Sequence, residues 1–177
     1  MLTKIIIGFL FLLLLVACNQ SGSNNDAKKI CDTREELSRQ FDNITIWSRG
    51  DSAFSLNIYN GKKANRYSFR SDNGLKLQSD TVQFQLREVE RFKNIDTLNQ
   101  NNAVKNLLSE LLNKMATFKI REVSSDRMSL GISLEFFLRK GGTVFFVRDL
   151  SSVTNPIWQN YIKESKKIGE GWYYNKQ

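Results

Sequence analysis

A chain of 177 residues, 41% hydrophobic and 11% aromatic, is long enough to bury one ordinary core. It carries 26 basic against 18 acidic residues, a net +8, and no histidine. The missing imidazole removes Ser-His-Asp and Cys-His hydrolases, histidine-ligated zinc and any imidazole general base, and two cysteines are too few for a disulfide-stapled scaffold.

The chain opens with one cation, Lys4, followed by an unbroken apolar run over residues 5–17, then Cys18 and a polar string rich in Asn and Ser. Charged start, apolar centre and small residues at a cleavage point are the layout of a secretory signal. Crossing a bilayer takes about 20 apolar residues, and the run is shorter than that. It also lacks the polar face at helical spacing that a core helix would show.

The tetrad Leu15-Val16-Ala17-Cys18 resembles the lipobox of bacterial lipoproteins. That resemblance implies cleavage before Cys18, a diacylglyceryl group on its sulfur and an acyl chain on its new amino group. Two or more chains hold a protein on a membrane essentially permanently, at about 0.8 kcal/mol per buried methylene. Asn19 at mature position two resembles the sorting signal of lipoproteins sent to the outer membrane, and no acidic cluster of the kind linked to surface export follows Cys18, so the periplasmic face of that membrane is expected.

Removing residues 1–17 takes away one lysine and no acid, so the mature charge is +7. Outside the cytoplasm the anionic neighbours of such a chain are lipid headgroups and acidic envelope polysaccharides, and nucleic acid is not expected. Cys31 is left without an intramolecular partner. It reads as a small buried hydrophobe, with an intermolecular bridge or reactive thiol as the alternative.

Three segments are expected: a signal peptide over 1–17, a lipidated flexible tether over 18–30 and one globular domain over 31–177. Thr33 and Glu36 have capping-box spacing ahead of Leu37 and Phe41, which predicts a short helix. Strict alternation predicts strands over 44–47, 53–59 and 66–70, with Asn60-Gly61 as a hairpin turn.

Residues 81–95 are ambiguous. Val82, Phe84 and Leu86 keep strand parity, while Leu86, Val89, Phe92 and Ile95 recur every three residues; a strand that bulges or ends near Glu88 is favoured, with a helix as the alternative. An apolar stripe of Val104, Leu107, Leu108, Leu111, Leu112 and Met115 predicts a long helix over 101–115. Strands follow over 117–123, 130–139 and 143–148, the last two joined through Lys140-Gly141-Gly142, whose glycines serve hairpin geometry.

Asn155-Pro156 then opens a short helix, and a last strand covers 172–174. The fold class is therefore α+β: a mainly antiparallel sheet of about 6–7 strands with one long and two short helices. The fragments Thr154-Asn155-Pro156-Ile157-Trp158 and Gly171-Trp172-Tyr173-Tyr174 resemble small lipoproteins of Bacteroidetes-type bacteria and imply no chemistry.

Few residues suggest chemistry. Glu88 and Glu90 would share one side of an extended strand with Cα atoms about 6.6 to 6.8 Å apart, a separation usable by a glycosidase, with Glu135 as a further acid. Arg87 and Arg91 flank the pair, and a solvated charged face, the favoured reading, accounts for the whole run. No CxxC or Asp-x-Asp-x-Asp-Gly occurs, so no metal or cofactor is expected.

Lys62, Lys63, Arg66 and Arg70 form a basic stripe opposite Tyr67 and Phe69, a candidate contact for anionic lipid or polysaccharide; a solubilising strand face is the plainer reading. The sequence thus points to a membrane-tethered, non-enzymatic binding or scaffolding domain anchored through Cys18. A carboxylate-dependent hydrolase of envelope glycans and an immunity or inhibitor lipoprotein with a protein partner are the alternatives.

Overall fold

The computed structural model describes residues 24–50, 52–70, 75–96, 99–125 and 130–176. The signal segment 1–17, Cys18 and tether residues 18–23 lie outside the described residues.

One nine-stranded sheet organises the domain: β1 (Ile44–Ser48), β2 (Ala53–Asn60), β3 (Lys63–Arg70), β4 (Lys76–Thr81), β5 (Ile120–Ser124), β6 (Ile132–Leu138), β7 (Thr143–Val147), β8 (Lys166–Gly169) and β9 (Trp172–Asn175). Their spatial order is β4-β3-β2-β1-β5-β6-β7-β9-β8, and every adjacent pair is antiparallel. Four helices accompany it: α1 (described residues 24–32), α2 (Arg34–Phe41), α3 (Gln100–Thr117) and α4 (Pro156–Glu164).

The two faces of the sheet bury different elements. On one, Ala27 and Ile30 of α1, Leu37 and Phe41 of α2, and Val104, Leu108, Leu111 and Met115 of α3 pack with Ile46, Leu56, Phe69, Val123 and Phe136. On the other, α4 adds Ile162, with Trp158 and Tyr161 beside it, to Phe145, Val147 and Tyr173. Helices thus cover both faces only around β6, β7 and β9. Successive residues Val144 and Phe145 are accordingly both fully buried on opposite sides of β7. Beyond β1, the second face carries Asn57, Arg66, Ser68 and Arg70, whose polarity needs no cover.

The α+β class stands, with nine strands in place of six or seven. The two that periodicity missed, β4 and β8, are the sheet's edges. Their sequences, Lys-Leu-Gln-Ser-Asp-Thr and Lys-Lys-Ile-Gly, hold one apolar side chain each, Leu77 and Ile168, which pack only partly against the core because an edge strand is less covered than a central one.

The strand expected over 81–95 is not present. Strand β4 ends at Thr81, and the chain turns through two 3₁₀ segments, Leu86–Glu88 and Glu90–Phe92. A 3₁₀ turn repeats every three residues, the spacing that brings Leu86, Val89, Phe92 and Ile95 onto the core. A buried amide anchors the segment: Asn65 Oδ1 accepts from the backbone N–H groups of Gln83 (2.8 Å) and Phe84 (3.2 Å), and its Nδ2 donates to the Phe84 carbonyl (3.0 Å).

Residues 24–30, read from sequence as part of a tether, belong to the domain. They are helical, and Ala27 and Ile30 are core residues. Polar composition misled here because α1 buries only one narrow stripe. The Thr33 capping box also fails: Thr33 Oγ1 donates back to the Lys29 carbonyl, and Glu36 pairs with Lys114. Thr33 follows α1 directly, so it joins two helices rather than opening the first. A capping box does occur at Gln85 and Glu88.

Other local expectations hold. Asn155 accepts from the Ile157 N–H and caps α4, with Pro156 in the first turn. Gly61 takes φ +60 in the β2–β3 turn, and Gly142 takes φ +86 in the β6–β7 turn, where a Cβ would stand 2.8 Å from Tyr174. Cys31 is buried, its Sγ donating to the Ile168 carbonyl at 3.0 Å.

Candidate functional site

The basic stripe is spread along the whole of β3. Arg66, Ser68 and Arg70 share one face, opposite the buried Tyr67 and Phe69, but Lys62 lies in the turn and Lys63 opens the strand at the far end. Seven residues of strand separate Lys63 from Arg70, about 23 Å at the usual rise. Within the stripe, Ser68 Oγ donates to Asp80 Oδ1 at 2.7 Å, which sets a carboxylate among the cations. The four do not converge on one ligand-sized point.

Glu88 and Glu90 stand on successive 3₁₀ turns rather than on a strand, so the extended separation does not apply. They line one cavity of about 430 Å³ with Tyr59, Asn60 and Arg91. Both Glu88 oxygens accept hydrogen bonds, Oε1 from the Gln85 N–H at 2.9 Å and Oε2 from Asn60 Nδ2 at 3.4 Å, a role suited to the ionised carboxylate. Glu90 is exposed and pairs with Lys93 at 3.5 Å. Glu135 is buried on β6, on the α4 face and opposite Phe145, away from both.

A second concavity involves none of these acids. A groove of about 850 Å³ runs between α2, the segment around Phe92–Asp96 and the N-terminal half of α3. Helix α3 supplies Asn102 and Asn106, four residues apart and therefore on one face, and Asn94 and Asn99 add two more amides from the preceding loop. Apolar side chains on its lining include Ala103, Leu107 and Leu111.

Charge in the groove is mixed. Arg39 and Arg91 come from α2 and the second 3₁₀ turn, and Asp96 and Glu110 oppose them. Arg91 Nη2 donates to the Arg39 carbonyl at 2.9 Å. Burial lowers the pKa of its guanidinium from the ordinary value, while Asp42 and Glu110 pull in the other direction. Gln40 Nε2 donates to Glu110, and Gln40 Oε1 is buried without a partner among the described residues.

The groove escaped the sequence reading because its asparagines look like ordinary solvated helix and loop positions. The available signal was local density: five asparagines fall between residues 94 and 106. No described helix is long and apolar enough to cross a membrane. Compared with known proteins, the chain matches no family model, no curated sequence and no solved structure.

Proposed function

We propose that the protein is an extracytoplasmic lipoprotein whose α+β domain acts as a non-enzymatic binding module for an envelope saccharide. The observation that carries the tethering is the tetrad Leu15-Val16-Ala17-Cys18 at the end of an apolar run preceded by Lys4. Acyl chains on Cys18 hold the domain on the periplasmic face of the outer membrane in this reading.

The groove between α2 and α3 supports the binding role. Its volume falls in the range of small-molecule sites, about 300 to 1,000 Å³. Amide side chains both donate and accept, as sugar hydroxyls do, and an apolar lining suits the C–H face of a pyranose ring. Two arginines set against two acids favour a ligand of low net charge over a polyanion.

Intact mass of the membrane-extracted protein tests the anchor. A chain beginning at Cys18 with acyl additions is expected, and Cys18→Ala should yield the uncut chain. A wild-type mass equal to the full 177 residues would overturn the reading.

A further inference from the structure

We infer that one end of the sheet, the end beside α1, lies against the anionic headgroup surface of the bilayer that holds the anchor. This rests on the lipoprotein reading above. It assigns the membrane contact to a different set of cations from the β3 stripe.

Strand pairing locates that end. Ile120 pairs with Leu138, Phe137 and Asn175 both pair with Thr143, and Lys166 pairs with Tyr174. The α3–β5 turn, the β6–β7 turn, the start of β8 and the end of β9 therefore share one end of the sheet. Each contributes exposed cations: Lys119, Arg139 and Lys140, Lys166, and Lys176. Lys29 joins them from α1, its Nζ 3.5 Å from the Thr117 carbonyl and 5.2 Å from the Phe118 ring centroid.

Acids near them are fewer. Glu164 is exposed at the end of α4, while Glu122 is occupied by Arg121 (3.7 Å) and by the Ser48 N–H. At the opposite end of the same strands, Asp149 and Glu170 are exposed beside Arg148. Across β5 to β9 the charge is thus segregated along the strand axis, while Lys62 and Lys63 stand at the far end of the other half of the sheet.

The chain's path sets the same end towards the membrane. Residue 24 precedes Lys29 by about 7.5 Å of helix rise. From there Cys18 is six residues away, at most about 21 Å of extended chain. Lys29 and the turn it touches are thus among the described groups nearest the anchor in chain path, and headgroup attraction, which falls off within a Debye length of about 8 to 10 Å, acts on the groups held closest to the lipid.

The test uses the full chain, lipidated in its host and reconstituted into vesicles of phosphatidylcholine alone or mixed with phosphatidylglycerol. A fluorophore is placed on Lys140→Cys, or at the opposite end on Lys62→Cys, and quenched by spin-labelled headgroups. In anionic vesicles position 140 should be quenched several-fold more than position 62. That difference should be lost in phosphatidylcholine vesicles, at high salt, and when Lys119, Arg139, Lys166 and Lys176 are changed to Glu. Lys62→Glu with Lys63→Glu should leave the Lys140→Cys signal unchanged.

Equal quenching at both positions in anionic vesicles, from protein shown by mass to be acylated, would overturn the orientation and leave the lipoprotein reading standing. A difference that persists in neutral vesicles would overturn its electrostatic basis. Protein recovered uncut and unacylated would overturn both.

Discussion

Asn65 is fully buried in β3, on the core face between Ala64 and the exposed Arg66, where an apolar side chain would fit the alternation. Its three hydrogen bonds to Gln83 and Phe84 replace the ladder that the chain gives up when β4 ends. Truncation to alanine leaves those backbone groups without partners in a dry site. Asn65→Ala should therefore cost roughly 2 to 4 kcal/mol, well above a typical surface change. Urea denaturation measures it, and a loss under about 0.5 kcal/mol would mean that the 83–84 segment is held by other contacts.

At the scale of elements, α1 bears on where the domain begins. Ile30 has no exposed surface, whereas Lys28 two residues earlier is exposed. Ile30→Ala should destabilise the domain by about 2 to 5 kcal/mol, as for a core residue, and Lys28→Ala should be nearly neutral. Equal, negligible effects in thermal denaturation would return residues 24–30 to the tether. The other elements follow a common logic: covered strands announce themselves by alternation, and the edges β4 and β8 instead carry Lys76, Asp80, Lys166 and Lys167, charges that discourage pairing with another sheet.

The whole molecule divides its surface by chemistry. A charge-balanced, amide-lined groove lies between α2 and α3, and a concentration of cations lies at the α1 end of the sheet. In the proposed function the first meets a saccharide. Asn102→Ala combined with Asn106→Ala should weaken binding of short N-acetylhexosamine oligosaccharides roughly tenfold or more, at about 1 kcal/mol per lost hydrogen bond. Calorimetric titration of the lipidated protein measures this. An unchanged affinity would exclude the groove as the binding site.

Much of the element list could be read from residue order alone. The stripe from Val104 to Met115, the alternation around Phe54 and Phe136, and the Asn155-Pro156 start are local patterns, because a covered face repeats at the period of its own backbone. The lipobox-like tetrad ending at Cys18 is likewise purely local. Tertiary structure alone decided the rest. Edge strands bury too little to show a period, α1 joins the core through a stripe only Ala27 and Ile30 wide, and Asn65 is set by what it meets eighteen residues on. Both candidate surfaces belong to this second group. Asn94 and Asn106 come to one groove, and Lys29 and Lys176 to one sheet end, only when separate segments fold together, and no pattern in a single segment encodes that meeting.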